Sequence, residues 1–336
     1  MFKAKYRMTS VLIERLERIA SLRGLIEASR IRLPARLSLE KDLLNRSVHS
    51  STWIEGNLLS LGQVAALSEH RNIPADEHQK LEVSNCIKAM RWMLVNRKKA
   101  PTENLVLKLH TFMTQSLLSP GRAGHYRNVQ NYVINAKRIV IFTPPSPKTV
   151  RIRMKSLFQW LKTSDLHPVV RSAVFHHEFV TIHPFTDGNG RVARSASEWL
   201  LFQKGYDPLY TLGLDDFFAR DRERYYEMIQ QTRELDYDYS HWIEYIAEGL
   251  QDAAERVLRR IQGLASPAQG KLILTPKQDE LLKHLAQKPM GSTEIGKLMK
   301  IRRARVNQLI KPLVSSGLVI MEGTTRAAKY FLKNPG

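Results

Sequence analysis

Apolar residues recur every three to four positions along most of this chain, which is the spacing of one buried face of an α-helix. In residues 11–30 the apolar positions stand among charged ones, and Pro34 ends the pattern because it cannot continue a helix. The same spacing predicts further helices over residues 39–51, 58–67, 74–96, 102–118, 150–161, 168–181, 192–202, 217–235 and 240–264. We therefore expect a mainly α-helical protein.

The pattern changes between residues 120 and 147. Glycine and proline become frequent, and two short runs rich in β-branched or aromatic residues, 132–134 and 138–142, lie between turn signals. This pair of runs predicts a β-hairpin at about 130–147, which we call the flap. An ordinary surface hairpin is the alternative interpretation.

The end of the chain, residues 272–336, has a different pattern and follows a linker at 265–271 that is rich in small residues. Gly317 separates helical from strand-like positions, and Thr324-Thr325 lies at the turn between two strands. The helical patterns cover 275–287, 292–299 and 302–315, and the strand patterns cover 318–321 and 329–332. This order predicts a small α+β domain of the winged helix-turn-helix type.

The composition bounds the class of protein. A chain of 336 residues with 43% hydrophobic and 25% charged residues is typical of a soluble protein with two or three domains. Its single cysteine, Cys86, excludes an internal disulfide and indicates a reducing compartment. Residues 1–20 lack a secretory signal pattern, and no apolar run is long enough to span a bilayer. We expect a cytoplasmic protein without a membrane partner.

The charge is unusual, since the chain carries a net +20 and has a pI near 10.1. Residues 271–336 hold 13 Lys and Arg against 4 Asp and Glu, so this fifth of the chain contributes +9. The start of its third helix, the recognition helix of a winged helix, has the polar residues Arg302, Arg303, Arg305, Asn307 and Gln308. We predict DNA contacts there, with a protein-interaction or dimerisation module as the alternative.

One segment, residues 183–194, concentrates groups used in phosphate chemistry and reads His-Pro-Phe-Thr-Asp-Gly-Asn-Gly-Arg-Val-Ala-Arg. Gly188 and Gly190 allow the backbone to turn sharply and to bring N–H groups close to an anion. A helix beginning just after them adds unpaired N–H donors. Arg191 and Arg194 lie three positions apart on one helix face, where both can bind phosphate oxygens.

Two titratable residues complete the segment. Asp187 is placed to hold Mg²⁺, which usually takes one or two carboxylates together with phosphates. His183 is the natural proton acceptor near neutral pH. Each of these residues alone has an ordinary structural explanation, so it is their combination within twelve positions that indicates a function.

The segment resembles the motif of the Fic family, His-Pro-Phe-x-Asp/Glu-Gly-Asn-Gly-Arg-x-x-Arg. All fixed positions are met, by His183, Pro184, Phe185, Asp187, Gly188, Asn189, Gly190, Arg191 and Arg194. The resemblance implies a protein adenylyltransferase, a nucleotidyltransferase that moves AMP from ATP onto a Ser, Thr or Tyr hydroxyl of a protein. It also implies an all-helical Fic domain that carries the flap, with an N-terminal helical region at 1–100 and the Fic core at 101–264.

The resemblance further assigns roles. His183 would deprotonate the acceptor hydroxyl, Asp187 would hold Mg²⁺ on the α- and β-phosphates, and N–H groups at 188–190 would stabilise the α-phosphoryl oxygens. Arg191 would hold the β-phosphate and Arg194 the γ-phosphate. Asn189 and Phe185 would support the loop. Tyr225 or Tyr226 would contact the adenine, although burial in the core is an equally good account of both tyrosines. The target protein would dock on the flap residues Ile139, Val140, Ile141, Phe142 and Thr143.

A second, shorter match lies near residues 39–57. On the pattern alone, Gly56-Asn57 ends a helix and Glu55 is an ordinary solvated carboxylate. In Fic proteins, however, Ser/Thr-x-x-x-Glu-Gly/Asn is an inhibitory motif, and Ser51, Glu55 and Gly56 satisfy it. The resemblance implies that Glu55 pairs bidentately with Arg194 and occupies the place of the γ-phosphate, which leaves the enzyme autoinhibited.

Other interpretations stay open at this stage. A phosphotransferase like the Doc toxins is disfavoured, because those carry Lys where this chain has Gly190. A DNA-binding regulator with a nucleotide-sensing Fic domain, another nucleotide donor, and removal of AMP are alternatives. The protein substrate is unidentified, with the chain itself as one candidate, and a homodimer is an open alternative. His176, His177 and Glu178 lack the spacing of a zinc site, so we expect them to support packing.

Overall fold

The computed structural model describes residues 2–29, 31, 33–134, 137–206, 213–264, 274–315, 317–323 and 328–332. The chain divides into two compact units, the first made of residues 1–29 and 40–260 and the second of residues 30–39 and 261–336. The predicted linker at 265–271 and the turn at Thr324-Thr325 lie outside the described residues. Along the described chain, no helix combines the length and the apolar character needed to cross a membrane.

The helices of the first unit have side-chain caps where the sequence supplies them. Thr9 accepts a hydrogen bond from the N–H of Leu12, and Ser60 forms a reciprocal capping box with Gln63. The helices are α1 (Ser10–Ala28), α2 (Leu33–Ile54, of which 40–54 belong to this unit), α3 (Leu61–Ser68), α4 (Glu77–Val95), α5 (Glu103–Thr114), α6 (Pro147–Thr163), α7 (Pro168–Ile182), α8 (Asn189–Gln203), α9 (Leu214–Arg220), α10 (Arg222–Glu234) and α11 (Ser240–Leu264, in this unit to residue 260).

A buried pair of helices, α7 and α8, forms the centre of this unit. Nearly every residue of both helices is buried, which agrees with their apolar and small-residue content. Trp242 of α11 is fully buried and donates from Nε1 to the carbonyl of Ala173, 2.7 Å away. His176 contacts the Tyr225 hydroxyl at 2.9 Å, and His177 contacts the carbonyl of Ile229 at 3.0 Å. Both histidines therefore support packing, as expected.

The predicted flap is present as a two-stranded antiparallel hairpin, β1 (Val133–Ile134) and β2 (Val140–Phe142). Val133 is opposite Phe142 and Ile134 is opposite Val140, with an irregularity in register between them. The second unit contains α12 (Pro276–Leu285), β3 (Met290–Gly291), α13 (Ser292–Leu298), α14 (Arg303–Ser315), β4 (Val319–Glu322) and β5 (Lys329–Leu332).

In the second unit the three strands form an antiparallel sheet in the order β3-β5-β4. A compact core includes Leu281, Val306 and Val319, and Thr275 begins α12 with a capping box. The predicted helices and both predicted strands are found within one to three residues of their expected bounds. Strand β3 was not predicted, because two residues carry no detectable alternation. The winged-helix assignment itself stays a prediction.

Two predicted boundaries need correction. The region 217–235 is not one helix, because Asp221 adopts φ −140° and ψ 73° and separates α9 from α10. The Asp221 side chain then caps α10 by accepting from the N–H of Arg224 at 3.0 Å. Helix α2 also begins earlier than expected, since Pro34 lies in its first turn, where a missing N–H costs nothing.

Candidate active site

His183 lies at the end of α7 in a left-handed conformation, with φ 51° and ψ 60°. Its backbone N–H donates to the carbonyl of Phe179 at 2.9 Å, and its Nδ1 lies 3.3 Å from the carbonyl of Val180. Because a carbonyl only accepts, Nδ1 carries the proton and Nε2 keeps a free lone pair. Burial lowers the pKa of His183 to about 4. The side chain is therefore neutral at pH 7 and can accept a proton at Nε2.

The loop after His183 is held by two side chains. The amide of Asn189 bonds both ways to the backbone of Phe185, accepting from its N–H at 2.8 Å and donating to its carbonyl at 2.9 Å. The Phe185 ring is fully buried and stacks on His110, with ring centroids 3.7 Å apart. His110 accepts from the N–H of Gly124 and lies 3.1 Å from the carbonyl of Asp187. Asn189 and Phe185 thus have the supporting positions expected of them.

Arg127 fastens this loop to the base of the flap, and no pattern or motif in the sequence predicted this role. It is 4% exposed, and its Nε donates to the carbonyl of His183 at 2.8 Å. Its other nitrogens donate to carbonyls that include those of Val129 and Pro145, and its backbone N–H donates to that of Pro184. One buried guanidinium therefore sets both the position of His183 and the start and end of the flap.

The turn into α8 forms an anion-binding concavity. Gly188 has φ 78°, and a Cβ there would come 3.0 Å from Thr114, so this position requires glycine. No side chain caps α8. The first helical bond runs from the N–H of Val192 to the carbonyl of Gly188, so the N–H groups of residues 189–191 precede the helical ladder. Such donors at a helix start bind phosphate.

Arg194 is 1% exposed and is surrounded by acceptors. Its Nη2 lies 2.8 Å from Glu55 Oε1 and donates to the carbonyl of Ser51 at 2.9 Å, and its Nε lies 2.8 Å from Asp215 Oδ1. Burial alone would lower the pKa of Arg194, but Glu55, with Asp215 among the other groups, raises it well above the usual range. The guanidinium is therefore always charged.

Asp215 is the residue that the sequence analysis missed in this cluster. It is fully buried, and its burial raises the pKa to about 6 although Arg194 and the Ser51 hydroxyl act in the opposite direction. The pKa values of Asp215 and Arg194 are both raised because the two groups share one buried site. For Asp215, the loss of hydration on burial raises the pKa by more than the charge of Arg194 lowers it. Asp215 begins α9 and gives no motif that could have revealed it.

Glu55 follows α2, and its side chain is 27% exposed. A Cβ on Gly190 would come 2.3 Å from Glu55 Oε1, so the carboxylate lies directly against the turn that begins α8. The predicted pairing of Glu55 with Arg194 is observed, but the predicted bidentate geometry is not. Only Nη2 donates to Glu55, while Nε donates to the Ser51 hydroxyl at 3.4 Å and lies 2.8 Å from Asp215 Oδ1.

Arg191 has partners that the sequence analysis did not expect. Its guanidinium is buried and lies 2.6 Å from Glu82 of α4 and 3.0 Å from Asp187 Oδ2. It is therefore engaged by two carboxylates in this structure, and its role as a ligand of the β-phosphate stays a prediction. The spacing of three residues between Arg191 and Arg194 correctly predicted that both lie on one helix. It did not reveal that Glu82 of α4 supplies a counter-charge to Arg191.

Asp187 fits the expected role in metal binding. Its side chain is 56% exposed, and it stands beside the N–H groups that begin α8. The described residues contain no cluster of three or more His, Cys, Asp or Glu that could enclose a metal ion. A single accessible carboxylate suits Mg²⁺, which keeps waters and takes the remaining ligands from phosphates.

The two tyrosines proposed for the adenine differ in environment. Tyr225 is 1% exposed and stacks on Phe218 with centroids 4.6 Å apart, so it belongs to the core and cannot stack on a ligand in this structure. Tyr226 is 37% exposed, and its hydroxyl donates to the carbonyl of Ile54 at 3.4 Å. Of the pair, only Tyr226 is open to a ligand, and it adjoins the end of α2.

The flap presents apolar side chains. Ile139, Val140 and Ile141 are 57%, 50% and 47% exposed, and Thr143 is also exposed. Phe142 is half-buried because the guanidinium of Arg233 lies 3.5 Å above its ring. The flap therefore ends against α10.

In the second unit, the candidate DNA contacts lie on or just before α14. Arg302, Arg303, Arg305, Asn307 and Gln308 are all exposed. The opposite face of α14, with Val306 and Leu309, enters the core. Within the described part of the chain, no carboxylate lies within 4 Å of the three arginines, while Arg305 donates to Gln308 at 2.9 Å.

Comparison with known proteins agrees with this geometry. Residues 100–201 match the Fic/DOC family, so the chain contains a Fic/DOC family domain. It is similar to the protein adenylyltransferase Fic of Aedes aegypti, with 29% identity over 253 residues, 73% of this chain and 47% of the relative. The protein adenylyltransferase Fic of Nematostella vectensis is 28% identical over 212 residues, which are 61% of this chain and 46% of the relative. The chain spans about half the length of these relatives.

Solved structures show the same fold. A Fic family protein from Desulfovibrio desulfuricans G20 aligns with a TM-score of 0.68 at 22% identity, covering 100% of this chain and 99% of that one. Fic-1 from C. elegans aligns with a TM-score of 0.64 at 23% identity, covering 76% and 74%. At this identity the likeness shows the fold alone.

Proposed function

We propose that this protein is an autoinhibited protein adenylyltransferase that transfers AMP from ATP to a hydroxyl of a protein. The observation that carries the proposal is the loop from His183 to the start of α8. A neutral histidine, a set of helix-start N–H groups and an accessible carboxylate meet there on a buried scaffold. The relatives named protein adenylyltransferase support the same reaction.

In this reaction His183 Nε2 takes the proton of a Ser, Thr or Tyr hydroxyl. The hydroxyl oxygen forms a bond to the α-phosphorus of ATP, the bond from that phosphorus to the oxygen leading to the β-phosphate breaks, and pyrophosphate leaves with the electron pair. The N–H groups at 188–191 stabilise the charge that develops on the α-phosphoryl oxygens. Asp187 would hold Mg²⁺, which when bound would supply positive charge that offsets the charge of the phosphates.

Inhibition follows from the position of Glu55. The carboxylate occupies Nη2 of Arg194 and lies against Gly190, where phosphate oxygens would otherwise approach. Because the phosphates of ATP and the Glu55 carboxylate are both negative, they repel each other, and only one of them can occupy the place beside Arg194 and Gly190. When Glu55 leaves, Arg194 keeps its contacts with Asp215 and the Ser51 carbonyl, so the guanidinium stays in position to bind the γ-phosphate.

The test compares wild type, Glu55→Gly and Glu55→Gly/His183→Ala, each incubated with Mg²⁺ and ATP labelled at the α-phosphate. We expect label on protein to rise in Glu55→Gly and to vanish when His183 is also replaced. Parallel reactions with labelled GTP, CTP and UTP identify the donor. Absence of protein label from every donor, in a Glu55→Gly variant shown to bind ATP, would reject the proposal.

A second function is favoured by the charge of the second unit, for which we propose a winged-helix fold that binds DNA. The polar face of α14 carries exposed arginines without carboxylate partners among the described residues, and residues 271–336 carry +9. Phosphate contacts of this kind account for most non-specific DNA affinity. Fluorescence anisotropy with labelled double-stranded DNA tests this proposal. Equal affinity for DNA and for the simple polyanion heparin would show that α14 recognises only negative charge.

A further inference from the structure

A cavity of about 670 Å³ opens in the first unit where strand β2 of the flap ends. Thr143, Pro145 and Ser146, which follow β2, line one side. Glu178 and Thr181 of α7 line another, so the cavity begins two residues before His183. An extended segment that pairs with the flap and presents a hydroxyl to His183 therefore continues towards this cavity.

The cavity has unbalanced charge. Of its acidic residues, Asp236 pairs with Lys5 at 3.6 Å, and Glu178 accepts a hydrogen bond from the Tyr239 hydroxyl. Burial raises the pKa of Glu178, although the Tyr239 hydroxyl and the charges of Arg153 and Arg233 act in the opposite direction. Lys3 and Arg153, both exposed, also line the cavity, and neither forms an ion pair within 4 Å in the described ranges. With Lys5, three basic side chains stand against two acidic ones, so the cavity has an excess of one positive charge.

Aromatic rings form much of the remaining wall. Phe2 packs edge-on against Tyr239, with centroids 6.4 Å apart, and its backbone N–H donates to the Ser156 hydroxyl. On the opposite side, Phe142 is fixed beneath Arg233. Rings held in this way form a preorganised apolar surface for a large side chain. An occupant therefore needs an apolar group and a negative charge close together.

We propose that this cavity is a specificity site for the target protein, which receives an acidic residue with a large apolar neighbour on one side of the modified hydroxyl. This inference rests on the proposed transfer of AMP to protein. The acidic residue pairs with Arg153 and Lys3, and the apolar neighbour packs against Phe2 and Phe142. Acidic targets also agree with the net charge of +20.

The fold restricts where the acidic residue lies relative to the hydroxyl. Arg127 and Asn131 fasten the flap base to the His183 loop, since Asn131 donates to the carbonyls of Phe185 and Thr186 at 2.9 and 3.2 Å. The distance from His183 to the cavity is therefore constant. Because Thr181, two residues before His183, already lines the cavity, we expect the acidic residue close to the hydroxyl in the target sequence and on one side of it.

The experiment uses the Glu55→Gly protein and synthetic peptides with one central Thr among alanines. An Asp-Phe pair is moved from the first to the fifth position on either side of the Thr, and a Lys-Phe series serves as comparison. Initial rates of AMP transfer are measured at low ionic strength, where charge pairs are least screened. Arg153→Glu is the test variant. Arg151→Glu, an equally exposed position on α6 that does not line the cavity, is the matched control.

We expect a maximum at one offset on one side, where the Asp-Phe peptide reacts about fivefold faster than its Lys-Phe counterpart, as for one or two partly exposed charge pairs. Arg153→Glu should invert this preference, and Arg151→Glu should retain it. Equal rates at all offsets, or an unchanged preference in Arg153→Glu, would overturn the inference.

Binding separates this result from the fate of the proposed function. Fluorescein-labelled Asp-Phe and Lys-Phe peptides are titrated with the wild-type chain and with Arg153→Glu, and anisotropy is recorded. If no nucleotide is transferred to any acceptor, the proposed function fails. Tighter binding of the Asp-Phe peptide that is lost in Arg153→Glu would still establish the cavity, and equal binding of both peptides would reject it.

Discussion

Helices α8 and α14 both begin with closely spaced arginines, but their environments are opposite. In α8, Arg191 and Arg194 are 2% and 1% exposed, and each contacts two carboxylates. In α14, Arg303 and Arg305 are exposed, and no carboxylate of the described chain lies within 4 Å of them. The same residue type is thus enclosed in one helix and open in the other.

This difference in burial determines which kind of anion each helix can bind. A buried arginine must always have a counter-charge, so a ligand gains access to Arg194 only by replacing Glu55. Under the proposed function, that requirement would make the site selective and would allow it to be inhibited. An exposed arginine is hydrated when free and binds any phosphate at little cost, so its affinity depends on salt and carries little selectivity by itself. Four predictions test this contrast.

The largest effect is expected at Asp215, the fixed counter-charge. Asp215→Ala leaves the buried charge of Arg194 with less compensation, and we expect the free energy of unfolding to fall by about 3–5 kcal/mol. Chemical denaturation monitored by circular dichroism measures it. Glu55→Ala is the matched control, because its partly exposed carboxylate should contribute only about 1 kcal/mol. Equal losses in both variants would show that the two carboxylates are not distinct in role.

The second prediction concerns the open arginines. Replacing Arg302, Arg303 and Arg305 together by Ala removes three phosphate contacts, so the slope of log affinity for DNA against log salt should decrease by about 2.7. The affinity itself should fall by about a hundredfold at moderate salt, measured by anisotropy. Lys277→Ala/Lys283→Ala on α12 should change neither quantity appreciably. An unaltered slope would place any DNA contact elsewhere.

The third prediction uses pH, to which α8 and α14 should respond differently. His183 must be neutral to accept a proton, so AMP transfer by Glu55→Gly should be constant from about pH 8 to about pH 5 and lost as the pH falls through about 4. Removing Glu55 should lower the pKa further, since its charge raises it. DNA binding by the arginines should be flat over the same range. A loss of transfer centred near pH 6.5 would show that His183 is not buried as described.

The smallest effect is expected at Gly190, where a new Cβ would meet the flexible end of Glu55. Gly190→Ala should reduce the free energy of unfolding by about 1 kcal/mol in the wild type. It should cost less in Glu55→Gly, because the closest contact, with Glu55 Oε1, is then absent and only Arg194 Nη1 at 3.0 Å remains. A double-mutant cycle measures the coupling, and additive effects would contradict the contact.

Much of the architecture could be predicted from the sequence because local signals agree with it. Helical periodicity predicted α7 and α11 almost to the residue, and the contiguous motif placed His183, Asn189 and Arg194 in one segment that joins α7 to α8. The flap was found from its β-branched runs. These features depend on residues that lie close together in the chain, where pattern and structure are directly linked.

The misses share a different cause. Asp215, Glu82 and Arg127 act on the 183–194 segment from distant parts of the chain, and a single sequence does not show which residues meet in space. The bidentate Glu55 contact was wrong for this reason, because it overlooked the other partners of the same guanidinium. The break at Asp221 was missed because the helical pattern of apolar residues continues on both sides of it. An aspartate favours the N-cap of a helix over its interior, but the pattern alone does not show which position it takes.

The clamp made by Arg127 has a consequence for redesign. It binds backbone carbonyls only, so it does not depend on which side chains the flap presents. A hairpin of another sequence inserted between Asn131 and Pro145 would inherit the same alignment to His183. If the flap docks the target protein as proposed, exchanging this one hairpin would change which proteins are modified while the His183 loop stays in place.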